Sequence, residues 1–125
     1  MSNFYLQQND YEHTSEYSQQ QLNLAREIGY RQSEAISLRN LAEAQKHSIA
    51  PSKTSQNLIL ALSIFKEIGD RYNEAHCYYR MAQNDYEDGD IEKAKLLAER
   101  SFLLFKHINV PFQQECLNML SQINN

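Results

Sequence analysis

The residues that could do chemistry in this chain are four histidines, two cysteines and one run of acids. His13, His47, His76 and His107 fall on different predicted helices, with no i, i+4 pair and no zinc-type spacing. His76 and Cys77 are neighbours, and adjacent helical side chains point different ways, so no nucleophile–base pair is expected there. Cys77 and Cys116 lie nearly one repeat apart and read as small buried hydrophobes. The run Asp85-Tyr86-Glu87-Asp88-Gly89-Asp90 invites a calcium-loop reading. Placing Gly89 at the loop's invariant glycine puts Tyr86 and Lys95 where oxygen ligands are required, so the run reads instead as a polar helix end plus a turn. There is no glycine-rich phosphate loop. No catalytic, metal or cofactor site is expected, and the chain is read as a non-enzyme.

Composition narrows the class further. The 125 residues suit one domain, and 42% hydrophobic residues suffice for a core. Sixteen acidic against 12 basic side chains give a net charge of −4 and a pI near 5.5, without the basic face that a nucleic-acid binder needs. Two cysteines are too few for a disulfide-stapled secreted scaffold. Met1-Ser2-Asn3-Phe4-Tyr5 has no basic region followed by an apolar stretch, so no signal peptide is expected. The longest apolar run, Leu58 to Ile64, is broken by Ser63 and falls far short of a ~20-residue membrane span. A soluble, cytoplasmic chain with no membrane partner is expected.

The elements that position these residues are marked by the rare helix breakers. Gly29, Gly69 and Gly89 are spaced by 40 and 20 residues, and Pro51 and Pro111 fall near the remaining points of a 20-residue grid. Between them the chain favours helix, and no segment alternates like a strand. A shift of 40 residues superimposes Arg26-Glu27-Ile28-Gly29-Tyr30-Arg31 on Lys66-Glu67-Ile68-Gly69-Asp70-Arg71, with Lys106-His107-Ile108-Asn109 following. Glu34-Ala35 then matches Glu74-Ala75, Leu41-Ala42 matches Met81-Ala82, and Leu22, Leu62 and Phe102 align. Such a period denotes stacked copies of one supersecondary unit. Each Ile-Gly is expected to close a helix, the glycine left-handed and the isoleucine packed back on the last turn. The map predicts a short remnant over 2–8 and helices over about 11–28, 32–47, 52–68, 72–87, 91–107 and 111–124.

The stretch Ala75-x-x-Tyr78-x-x-Met81-Ala82-x-x-x-Tyr86-x-x-Gly89-Asp90-Ile91-x-x-Ala94 resembles a tetratricopeptide repeat. Ser101 stands where that family usually has Ala. The preceding copy keeps Ala35, Leu38, Leu41, Ala42, Ala61 and Leu62, but Ser48-Ile49-Ala50-Pro51-Ser52 replaces its Gly-Asp-aromatic turn. The spacing of 40 rather than 34 is similar to the longer variant found in signalling and scaffold proteins. The resemblance implies an all-α fold, an α-α superhelix (solenoid) of about three helix-turn-helix repeats and roughly six helices. It makes 1–125 a single repeat domain, with a partial copy over about 1–31, full copies over 32–71 and 72–110, and a lone helix over 111–124.

The ends are read as irregular. Asn9-Asp10-Tyr11 aligns with Gly89-Asp90-Ile91, so the chain is expected to begin partway through a repeat. Thr14, Ser18 and Gln21 stand where the third copy has Ala94, Ala98 and Ser101, which thins the apolar stripe of the first long helix. Either the chain is part of a longer array, or another chain covers the open end, and a weak homodimer is expected. In the helix over 52–68, Leu58, Ala61, Leu62 and Phe65 form one stripe and Leu60, Ile64 and Ile68 a second, which predicts burial on two sides.

By the same resemblance, the first helix of each repeat lines the inner wall. Its outward positions are Ile36, Arg39, Asn40, Glu43, Lys46 and His47 in one copy, and His76, Tyr79, Arg80, Gln83, Tyr86 and Glu87 in the next. Asn and Gln can hold a peptide backbone of any sequence, Arg can clamp a carboxylate, and Tyr adds contact area at low entropic cost. The plainer reading is a solvated polar helix face. The expected function is a protein-interaction module that holds a peptide or partner-protein segment in its concave groove. Its rivals are self-assembly through the open ends and a regulatory piece of a larger signalling protein.

Overall fold

The computed structural model describes the backbone of residues 3–46, 54–108 and 113–124; side chains are described from Asp10 onward and, in the third helix, from Ser55. Six helices span these residues: α1 Asn3–Ile28, α2 Arg31–Lys46, α3 Thr54–Ile68, α4 Arg71–Glu87, α5 Ile91–His107 and α6 Gln113–Asn124. No strand occurs among the described residues, so the fold is all-α. The chain divides into two compact units, 1–68 and 69–125, and the division falls at the second Ile-Gly pair.

In the first unit α1 packs on α2 and α2 on α3. Gly29 sits at φ +74°, and the amide of Tyr30 donates to the carbonyl of Ala25 at 2.9 Å, which closes α1 and reverses the chain. Leu22 and Ala25 from α1, Ala35, Leu38, Leu41 and Ala42 from α2, and Leu58, Ala61 and Phe65 from α3 are buried. Asn57 of α3 donates to Gln45 of α2 at 2.7 Å. At the other end of the same pair, Arg31 bonds Glu67, which makes α2 and α3 antiparallel. Glu34 collects Arg26 at 3.3 Å and Arg31 at 3.0 Å. These guanidinium groups are exposed, so the pairs fix register more than they stabilise.

The second unit repeats the plan with better caps. Asp70 accepts the amide of Asn73 at 3.1 Å to start α4, and Asp90 accepts that of Lys93 at 3.4 Å to start α5. Between them Gly89 sits at φ +88°. Its amide donates to Tyr86 at 3.1 Å and that of Asp90 to Asp85 at 2.9 Å, the two-bond closure that satisfies orphaned carbonyls at a helix end. Ala75 packs with Phe105 and Cys116, and Ala82 with Ala98 and Met119, so α4, α5 and α6 run antiparallel in turn. Ser101 places a hydroxyl in the core without a buried orphan: it donates to the carbonyl of Ala75 at 2.8 Å and lies 3.3 Å from the Cys116 sulfur. Phe65 and Phe105, 40 residues apart, are both fully buried, each contributing about 1.5–3 kcal/mol of hydrophobic stabilisation.

Three expectations are corrected. The remnant over 2–8 and the helix over 11–28 are one helix of 26 residues, since α1 runs through Asn9-Asp10 without a break. Asn9 replaces the glycine that opens the equivalent turn at 89, and Gln7, Gln8 and Glu12 around it favour helix. The second stripe of α3 is only partly buried: Ile64 is inside, whereas Leu60 and Ile68 are exposed. The isoleucines before the glycines do not pack back on their helices, Ile28 being 66% exposed and Ile68 40%. The bond from Tyr30 to Ala25 closes α1 without them, and Gly69 shares the positive φ of Gly29, at +75°. On α1 the buried stripe is Ser18, Leu22 and Ala25. His47, Pro51 with its turn over 48–52, the Asn109 closure and Pro111 lie outside the described residues.

Candidate functional site

The wall residues expected from the sequence separate into three environments. In the second unit, Tyr79, Gln83, Tyr86 and Glu87 recur at helical spacing on one face of α4 and form one side of an open cavity of about 350 Å³. Glu115, Asn118, Met119 and Gln122 of α6 form the other side. Met119 is buried against Ala82 and Ala98 and makes the floor, while Tyr79 and Tyr86, half-buried, pack on the same cluster and stand as walls. Arg80 lies beside this face, exposed, donating to the Gln83 side-chain oxygen at 3.3 Å. The cavity is rimmed by two carboxylates and three amides, and no lysine, arginine or histidine lines it.

The electrostatics agree with that lining. Burial pushes the Tyr79 phenol up, and the Glu115 carboxylate pushes it further than Arg80 pulls it down. The Glu115 carboxylate thus outweighs the neighbouring guanidinium at the phenol. At the foot of α4, Asp85 is also raised, by burial first; Lys93 opposes this, and Asp90 and Asp88 add to it.

His76 serves packing instead. Its ring meets Tyr72 at 4.6 Å and Phe105 at 5.0 Å, both edge-to-face, and it does not line the cavity. Tyr78 is buried on another side of α4, with the Arg100 guanidinium 5.4 Å from its ring centroid.

In the first unit, Ile36 and Asn40 of α2 help line a second cavity of about 210 Å³. Tyr17, Ser18 and Gln21 of α1 face them, with Ser33 and Ser37 completing the lining. This cavity is neutral, its polar groups being hydroxyls and amides. Arg39, Glu43 and Lys46 line neither cavity.

The sequence reading therefore reached the α4 side of the larger cavity and missed the α6 side. The signal was present: 115, 118, 119 and 122 mark one face of a helix. Treating 111–124 as a lone terminal helix left that face without a neighbour. Among the described residues no group of three or more His, Cys, Asp or Glu side chains converges as a metal site. No described helix is long and apolar enough to cross a membrane. A scan against protein-family models finds none that matches the chain, and a search of the curated proteins finds no match to it.

Proposed function

We propose that the chain is a tetratricopeptide-like interaction module that holds a segment of a partner protein between α4 and α6. The observation that carries this reading is the cavity itself, where an apolar floor at Met119, two tyrosine walls and three side-chain amides converge. Apolar contact area with a few converging polar groups is what a peptide site needs. Gln83, Asn118 and Gln122 each offer both a donor and an acceptor, which suits backbone recognition in any sequence. The wall is preformed by helices, so little ordering entropy is lost when a segment docks. Cys77 and Cys116 are buried and not joined in a disulfide, which supports a reducing, cytoplasmic setting.

Screening an immobilised array of nonapeptides and titrating the best binder tests the reading. The double variant Gln83→Ala with Tyr86→Ala should keep wild-type helicity and lose binding at least tenfold. Failure of every peptide to bind, or equal binding by the variant, would refute it.

A second reading, self-association through α1, is supported by Tyr17, Leu24 and Ile28, which share one exposed face of that helix. Light scattering across a dilution series decides it, because a monomer at every concentration excludes this reading.

A further inference from the structure

We infer that α5 pairs with α5 of a second copy of this chain, the two helices running antiparallel about a two-fold axis between Glu99 and Arg100. This goes beyond the peptide-binding reading, since no residue of α5 lines the cavity between α4 and α6.

Leu96 and Leu103 lie two turns apart on α5, so they share one face, separated by about 10.5 Å along the helix. Both point to water, 66% and 62% exposed, whereas Ala94, Ala98, Ser101 and Phe105 bury the opposite face. The repeat does not require leucine there: the equivalent positions of α3, 40 residues earlier, are Gln56 and Ser63. Water solvates an exposed carboxylate but cannot satisfy an exposed leucine, and covering these two side chains is what drives the association.

The charges beside the leucines say what covers them. At helical spacing, Glu92 and Glu99 flank the stripe on one side, and Arg100 and His107 flank it on the other. A face with acids along one edge and bases along the other is complementary to itself. In the antiparallel pair Leu96 meets the partner's Leu103, Glu99 the partner's Arg100 and Glu92 the partner's His107, each contact occurring twice. The antiparallel sense also sets the two helix dipoles head to tail. Lys93 and Lys106 fall across from each other only at the margin, and their long stems leave the ammonium groups near Asp85 and the Phe102 ring of their own chain. The leucines supply the attraction, and the exposed ion pairs, weak in themselves, select sense and register. One helix face per copy is a small contact, so the dimer is weak and concentration-dependent.

The test follows the full chain by sedimentation equilibrium between about 10 μM and 1 mM, the range in which a contact of this size forms. The parent should approach the mass of a dimer at the top of that range. Leu96→Gln with Leu103→Ser, the residues that α3 carries, should keep the parental circular dichroism and weaken association at least tenfold. Glu99→Arg alone and Arg100→Glu alone should each weaken it about fivefold, because each sets like charges against one another. Mixed in equal amounts, these two variants should recover the parental association, because each then meets opposite charges on the other. A parent that stays monomeric throughout overturns the inference. A leucine variant that associates as the parent does overturns it too, and moves the contact to another surface such as α1. A mixture no tighter than either charge variant alone overturns the pairing of Glu99 with Arg100 and with it the inference. None of these outcomes bears on the peptide-binding reading.

Discussion

Replacing Gly89 with alanine should destabilise the second unit by about 1 kcal/mol, although the added methyl group would touch nothing. A Cβ built at this position meets no atom within 4 Å, so the whole cost lies in the backbone. Gly89 sits at φ +88°, where an L-residue pays roughly 1–2 kcal/mol. Alanine also narrows the unfolded ensemble, which returns roughly 0.4–1 kcal/mol. The net loss is about 1 kcal/mol, a fall of roughly 4–8 °C in melting temperature for a unit of this size. Asparagine tolerates the left-handed conformation better, so Gly89→Asn should lie between glycine and alanine. A D-alanine introduced by chemical ligation should be at least as stable as the parent. Thermal and urea unfolding followed by far-ultraviolet circular dichroism measure the series. An alanine variant as stable as the parent would refute the reasoning, because the turn would then not depend on a left-handed residue. Asn9 gives the converse control: α1 passes through it unbroken, and Asn9→Gly should lower helicity by weakening a helix interior.

Other consequences follow from the caps, the acidic turn and the thiols. Tyr30 holds the N-cap position of α2, where the backbone amide of Glu34 donates to its carbonyl, yet its side chain offers no cap such as Asp70 gives α4. Tyr30→Asp should therefore stabilise the first unit by roughly 0.5–1 kcal/mol in urea unfolding. Folding raises the Asp85 carboxyl, chiefly by burial, so keeping it charged costs stability above its unfolded-state range, and that cost disappears as pH falls through the carboxylate range. Asp85→Asn should accordingly raise stability near neutral pH and lose its advantage under acid; the opposite slope in urea midpoints against pH would contradict this. Cys77 and Cys116 are fully buried, and burial also pushes the Cys116 thiol up, so neither should react with a thiol reagent until the chain is unfolded.

The parts of this fold that were legible in the sequence are those governed by local backbone chemistry. Ile-Gly at 28–29 and 68–69 and Gly89-Asp90 marked three helix boundaries, because left-handed closure and aspartate capping depend on a few adjacent residues. The period of 40 likewise placed Phe65 and Phe105 at equivalent buried positions. Asn9 misled because asparagine is compatible with both a turn and a helix, and only the surrounding propensity decides. Leu60 and Ile68 misled because hydrophobicity at helical spacing does not report whether a neighbour covers that face. The same distinction divides the site. Tyr79, Gln83 and Tyr86 were readable from the repeat pattern, but Glu115, Asn118 and Gln122 joined them only through the packing of α6. His76, polar by composition, packs with Tyr72 and Phe105 because a half-buried aromatic ring is as useful as an apolar side chain there.

Backbone-amide nuclear magnetic resonance, with the best-binding nonapeptide of the array titrated into the labelled full chain, tests the account most directly. The account predicts saturable shifts at Tyr79, Gln83, Tyr86, Glu115, Asn118 and Gln122, with the outward positions Leu96 and Leu103 on α5 unmoved. Shifts confined to other surfaces, or none at saturating peptide, would contradict it.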